Sequence, residues 1–388
     1  MRRVLLLAAF VLAAPPASAQ TAADLFDDSR LHTLEIVIHS RDWEDLRRNF
    51  DQNDDYPADI TWNGQRMRNV RVRSRGLGSR SSDKPGLELD FDYYDPSQRF
   101  LGQRELVLDN LVTDPSMLRE VVATSFLRRV GVPAPRESFT RVIVNGEFVG
   151  LYALVEAVNR DFAQAAFARS GMLFEFRWTQ PFYETYLGDG LGPYAALFES
   201  RNPVPQSTGA LYTPIRDLFR AVNETPDGQF ASVDRHLDIN GFIRLVAADS
   251  FLAELDGILG YDGMNNVYLY TIGERAHLIP WDKDHAFISA THPVLAYSQD
   301  HVLMSRILAD RGLRATFFDA LAGMSASGAA DRWLESTIAR LYSVVREAAR
   351  QDARKPFENA EFEQAVGELV SFARTRPAFV RSEAARLR

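Results

Sequence analysis

The hydrophobic pattern of this chain changes period part-way along, and that change limits the folds open to it. Over residues 31–92 the apolar residues fall in short alternating runs separated by turn signals: 34–39, 58–62, and 70–73 after an Asn63-Gly64 turn. Residues 86–91 and 106–108 read as further strands, and residues 138–155 as a hairpin turning at Asn145-Gly146. Two helices interrupt this half. Residues 42–50 read as a short one, and Asp114-Pro115 reads as an N-cap with Pro in the first turn. With Glu120 in the early turns and Gly131 as a stop, that predicts a helix over 115–130. Past residue 206 the period lengthens. Residues 212–223, 240–255, 329–352 and 357–384 carry helical patterns, with a strand pair at 267–270 and 276–279 between them. A mainly antiparallel sheet in the N-terminal half and a helix-rich C-terminal half define an α+β protein.

The division expected from this pattern has four parts. Residues 1–19 carry Arg2 and Arg3, an apolar run too short to span a bilayer, and an Ala17-Ser18-Ala19 cleavage signal, so they read as a secretory signal peptide cut after Ala19. A sheet-rich lobe follows over 31–178, then a Gly/Pro-rich loop or lid over 179–210, then a helix-rich lobe over 211–388. No later segment has the roughly 20 uninterrupted apolar residues of a membrane span.

Composition excludes several chemistries. With no cysteine among 388 residues there is no disulfide, no thiolate metal site and no cysteine nucleophile. A formal net charge of −8 has the wrong sign for a surface built to attract nucleic acid. The histidines show no H-E-x-x-H pair and the serines no G-x-S-x-G elbow. Asp51, Asn53 and Asp55 imitate a calcium loop, but Tyr56 and Trp62 stand where Gly and the bidentate Glu are needed, leaving an acidic surface turn.

Two constellations remain. Between Asp256 and His285 the chain places Asp256, Asp262, Asn265, Asn266, Asp282 and Asp284 at the ends of a helix and two short strands. Such hard oxygen donors suit Mg²⁺ or Mn²⁺ with phosphate, and the same residues are also common in turns and caps. Arg73, Arg75, Gly76, Ser79, Ser81 and Lys84 form a Gly/Ser loop with cations, which is either a phosphate cradle or a solvated basic turn. Trp178, Phe182, Tyr183 and Tyr186 cluster beside the Gly/Pro-rich stretch as core packing or as a platform for a sugar or peptide.

Ordered elements of the chain resemble the CotH family, the spore-coat-protein-H type of secreted proteins with an atypical, bilobal protein-kinase-like fold. They are Val72-Arg73-Ser74-Arg75-Gly76 with Ser79 to Lys84, Asp114-Pro115-Ser116-Met117-Leu118-Arg119-Glu120, and Gly131-Val132-Pro133-Ala134-Pro135-Arg136. Val144-Asn145-Gly146 with Gly150-Leu151-Tyr152 and Glu156 come next, then Asn266, Tyr268-Leu269-Tyr270 and Pro280-Trp281-Asp282-Lys283-Asp284. The resemblance implies phosphoryl transfer from metal-bound ATP to Ser or Thr of an exported or cell-surface protein. It implies Asp256 as the catalytic, acceptor-side Asp and Asp282 and Asn266 as Mg²⁺ or Mn²⁺ ligands, with Asp284 as a second carboxylate. Lys84 and Arg75 would face phosphate, and Glu156 would hold Lys84 or a metal. The family's acidic residue about five positions before the Asn is Tyr261 here, so Asp256 requires an inserted turn over 260–263, with Asp262 as the other candidate. Phe174-Glu175 stands where relatives often carry Tyr-Lys. The alternative is a non-catalytic surface module binding a partner protein or a glycan.

Overall fold

A computed structural model describes residues 20–202 and 206–388, so the expected signal peptide lies outside the described residues. Seven strands close into a barrel: β1 (Leu31–Ile38), β2 (Tyr56–Trp62), β3 (Gln65–Arg75), β4 (Gly86–Asp90), β5 (Glu105–Asp109), β6 (Glu137–Val144) and β7 (Glu147–Glu156). Their order is β1-β2-β3-β4-β5-β7-β6, and every neighbouring pair is antiparallel except β1 and β6. Those two run parallel, with Leu34 opposite Val142, and their pairing closes the ring.

Alternation along the strands fills the barrel. Leu34, Ile36 and Ile38 meet Ile60, Trp62, Val72, Leu89 and Leu108 inside it. β7 is apolar on both faces, which explains its nearly unbroken run from Val149 to Val155. Tyr152 and Leu154 enter the barrel core, while Leu151, Ala153 and Val155 join a second core. That second core takes in Val121, Val122 and Phe126 of the helix Arg119–Arg129 and Phe242, Val246 and Phe251 of the helix Ile239–Leu252. It extends into the C-terminal helices Arg311–Ala329, Trp333–Gln351 and Asn359–Leu387.

The remaining strands, β8 (Met172–Phe176), β9 (Phe198–Ser200), β10 (Val267–Ile272) and β11 (Arg275–Pro280), make an antiparallel sheet in the order β11-β10-β8-β9. Part of the expected Gly/Pro-rich loop is therefore ordered structure, since it contributes β9 and the helix Gly192–Leu197. The helix expected from residue 115 begins at Arg119. Asp114 still caps it, accepting the N–H of Ser116 and Leu118 at 2.8 Å and of Arg119 at 2.9 Å. Met117 at φ 54° breaks the helical path before that point. The helices Val302–Ala309 and Arg311–Ala329 have no counterpart in the sequence reading. Gly312, Gly323 and Gly328 weaken the helical signal of the second, and Gly328 is needed because a Cβ there would lie 2.5 Å from Phe251. Among the described residues no helix is long and apolar enough to cross a membrane.

Candidate active site

The helix Ile239–Leu252 ends at Ala253 in a left-handed conformation, and residues 254–266 then make a compact loop before β10. Side chains within that loop fix Asp256. The Nδ2 groups of Asn265 and Asn266 each donate to its Oδ2 at 3.1 Å, and Asn266 Nδ2 also donates to its carbonyl at 3.0 Å. The β10–β11 register sets Val267 opposite Pro280, so Asn266 at the hairpin's entrance lies beside Trp281-Asp282 at its exit. The Trp281 N–H donates to the Asn266 carbonyl at 2.9 Å. Both Asn266 (φ 49°) and Asp282 (φ 46°) are left-handed, a backbone cost that Asn and Asp tolerate better than other side chains.

Beyond Asp282 the chain alternates sides. Lys283 is buried, with Nζ 3.4 Å from Asp249 Oδ2, whereas Asp282 and Asp284 come together on the other side. Burial pushes the Asp282 carboxyl up to about 8, reinforced by Asp284 and Asp256 and opposed by Arg75. Asp284 is pushed up to about 6, by burial first and by Asp109 and Glu254, although the Thr113 hydroxyl donates to it and works the other way. Burial and the Asp282 charge raise Asp109 as well. Behind these lie Glu120, held well above the carboxylate range by burial and by Glu137, and Glu137 itself, pushed by burial to about 8. Glu120 Oε2 and both Glu137 oxygens lack a hydrogen-bond partner. Arg75, at the end of β3, is the cation facing this cluster. Its guanidinium lies 5.3 Å from the Trp281 ring, and Asp109, Tyr268, Glu88 and Asp282 outweigh burial to strengthen its hold on the proton.

Of the residues singled out in the sequence, Asp256, Asn266, Asp282, Asp284 and Arg75 thus converge. Lys84 and Glu156 do not join them. Lys84 is completely buried, with Nζ 2.7 Å from Asp352 Oδ2 and 5.1 Å from the centre of the Tyr152 ring. Glu156 takes the guanidinium of Arg136 and the Arg136 N–H, so the expected Lys84–Glu156 pair is absent. The reason is register: Lys84 precedes β4 on the side where the loop between the last two helices inserts Asp352 against β7. Asp109, Thr113, Glu120 and Glu137 were missed as site residues. Glu120 reads in sequence as a helix-start signal, and nothing local marks a strand-end Asp or Glu as buried against other acids.

Residues 260–263 fold into a turn. The Gly263 N–H donates to the Gly260 carbonyl at 3.2 Å, and the Tyr261 N–H to the Leu255 carbonyl at 3.0 Å. Asp262 instead presents its carbonyl to the Trp178 indole at 3.1 Å. Gly263 has φ 86°, and a Cβ there would lie 2.5 Å from the Phe182 nitrogen and 2.8 Å from its carbonyl oxygen. Gly263→Ala is expected to cost roughly 2–3 kcal/mol, read as a fall in the denaturation midpoint. An unchanged midpoint would mean that this close approach does not hold the loop.

Phe182 is buried, Tyr183 meets His301 edge-on at 5.2 Å between ring centres, and Tyr186 binds Arg220 and Asp189. As for a cation, no group of three acids or imidazoles among the described residues is already arranged as a metal cage. The donors nevertheless fit Mg²⁺ or Mn²⁺. Two buried carboxylates, each pushed up by burial and by neighbouring acids, with an amide beside them, match ions that bind through one or two carboxylates and complete their shell with water and phosphate.

The fold and site define an α+β protein in which the end of a closed barrel presents an arginine to a buried carboxylate cluster on a neighbouring hairpin. The family described as CotH kinase protein matches residues 72–380, and the chain belongs to that family. Inner spore coat protein H of Bacillus subtilis is 23% identical over 375 residues, covering 92% of this chain and 98% of that protein. Invasin CotH7 of Rhizopus delemar is 20% identical over 244 residues, covering 61% of this chain and 40% of that protein. Among solved structures, the Helicobacter pylori proinflammatory kinase CtkA superposes with a TM-score of 0.36 at 9% identity, covering 78% of this chain and 94% of that one.

Proposed function

We propose that this chain is a CotH-type protein kinase transferring the terminal phosphoryl group of metal-bound ATP to a Ser or Thr hydroxyl of an exported or cell-surface protein. The observation that carries the reading is the meeting of Asp256, Asn266, Asp282 and Asp284 in one place, from a loop and a hairpin exit far enough apart in sequence that only the β10–β11 register unites them.

Asp282 and Asp284 with Asn266 would hold Mg²⁺ or Mn²⁺, which when bound neutralises charge between the phosphates. Asp256, fixed by two amide donors, orients the acceptor hydroxyl and takes its proton as the oxygen bonds to phosphorus and ADP departs. Arg75 replaces Lys84 as the cation toward phosphate, since it already faces the carboxylates and stacks on Trp281. The signal peptide expected over residues 1–19 and the coat and invasin relatives support action outside the cytoplasm.

Thermal unfolding with ATP and Mg²⁺ or Mn²⁺, together with transfer of labelled phosphate to protein acceptors, tests the reading. A ligand at a hundredfold excess over its Kd adds about 2.7 kcal/mol of apparent stability. A rise requiring nucleotide and metal together is expected. No rise with either metal would make the chain a non-catalytic surface module of the same family.

A further inference from the structure

A buried acid–imidazole pair that the proposed transfer does not use fastens the turn beside Asp256 from behind. The side chains of Glu184 and His301 are 2% and 0% exposed and meet at 2.7 Å, Oε1 to Nδ1. The other ring nitrogen, Nε2, lies 3.3 Å from the Gly260 carbonyl oxygen. A neutral imidazole has one N–H and one acceptor nitrogen, whereas here a carboxylate faces one nitrogen and a carbonyl the other. Only the imidazolium donates to both. Burial works against that charge, and Glu184, the Gly260 carbonyl and Asp300 outweigh it, so the ring titrates above the ordinary histidine value.

The surroundings are built around this pair. Glu184 has φ 56°, a strained conformation for a glutamate that persists where neighbours over-determine it. Asn223 Nδ2 donates to its carbonyl at 2.8 Å, and the Tyr183 ring packs on the imidazole. The same segment reaches the turn twice more. The Phe182 carbonyl accepts the Met264 N–H at 2.8 Å, and the Trp178 indole donates to the Asp262 carbonyl. Arg306, on the helix that follows His301, turns instead to the carbonyls of Val222 and Asn223 and to Asp227. The groups facing the imidazole are thus Glu184, Tyr183, Asp300 and the Gly260 carbonyl.

We infer that Glu184 and His301 are positioning residues: as a charged pair they clamp the Gly260–Gly263 turn, keep Asp256 in register with Asn265 and Asn266, and make the rigidity of this loop depend on pH. The inference rests on the proposed function only for the task it gives Asp256. Its sign follows from the raised titration of the ring. The clamp is complete below the ordinary histidine pKa of about 6.5 and is lost as pH rises through the higher folded value.

Hydrogen exchange of the Tyr261, Gly263, Met264 and Asn265 amides, corrected for intrinsic rate and measured without nucleotide at about pH 6 and about pH 9, tests it. A hydrogen bond to a charged group is worth enough that wild-type protection should fall by roughly tenfold or more between the two. His301→Gln and Glu184→Gln should already show that loss at the lower pH and have no further step. Trp178→Phe, which removes the indole donor and keeps a smaller aromatic ring, should loosen the loop at both pH values and keep the step. Equal protection at both pH values in the wild type, or a step that survives in His301→Gln, overturns the inference, and the wild-type profile decides even where a variant fails to fold. The kinase reading fails separately. A pH step in a protein that binds no ATP leaves the clamp standing, and ATP binding without the step removes the clamp alone.

Discussion

Asp282→Asn should abolish the rise in unfolding temperature that ATP and metal produce together, and should make the unliganded protein more stable by about 1 kcal/mol. Both effects come from the same crowding. Asp282 is buried beside Asp284, with Asp256 also nearby and only partial compensation from Arg75, so ionising it costs the native state stability that a bound cation restores. The amide removes that cost and, with it, the charge that would hold the ion. Asn is the informative replacement because it tolerates the left-handed conformation at φ 46° nearly as well as Asp, so backbone strain is unchanged. Calorimetry with and without nucleotide and metal reads both effects. A variant that keeps the ligand-induced rise would remove Asp282 from the proposed metal site, and one less stable than the wild type without ligand would mean that the buried carboxyl carries no such cost.

Asp352→Ala carries the largest expected loss of stability, roughly 3–5 kcal/mol, because it strands the completely buried Lys84 ammonium. The substitution breaks more than an ion pair. Asp352 Oδ2 also accepts the Leu151 N–H of β7 at 2.9 Å, and Oδ1 accepts the N–H groups of Arg354 and Lys355, which joins the last two helices to the barrel. Adding Lys84→Met should recover much of the loss, since an apolar side chain of similar length needs no partner. Urea denaturation of the single and double variants checks this, and a double variant no more stable than Asp352→Ala would show that the charge was not the cause. Lys84→Met alone also bears on the site. If it folds and retains the joint ATP and metal stabilisation, phosphate contact belongs to Arg75. If that stabilisation vanishes, Lys84 serves phosphate after all.

Local chemistry explains what was readable before the structure. The turns at Asn63-Gly64 and Asn145-Gly146 carry their own conformational signals, and the strands they join, β2–β3 and β6–β7, lie where alternation placed them. Closure of the sheet was not readable, because β1 and β6 are brought together by the whole intervening chain. β8 was missed for a similar reason: its partner β10 lies far downstream. In the site, Asp256, Asn266, Asp282 and Asp284 are legible as grouped oxygen donors whose roles the ordered resemblance implies, and Arg75 and Lys84 as cations of one polar loop. Which of those two cations faces the carboxylates depends on the insertion of Asp352, which no local pattern announces. Glu120 and Glu137 look like ordinary terminal acids in sequence, and their burial is a tertiary fact.

The ring of strands also constrains the order in which this protein can be assembled. While the chain is being made, Leu31 to Ile38 can zip onto β2 at once, but its other edge stays bare until Phe139 to Val144 has emerged. Through that interval the nascent sheet offers two templating edges to any passing strand, and the finished barrel offers none. Fragments ending before β6 are therefore expected to be drawn into intermolecular sheets, whereas those reaching past Glu156 can seal the ring.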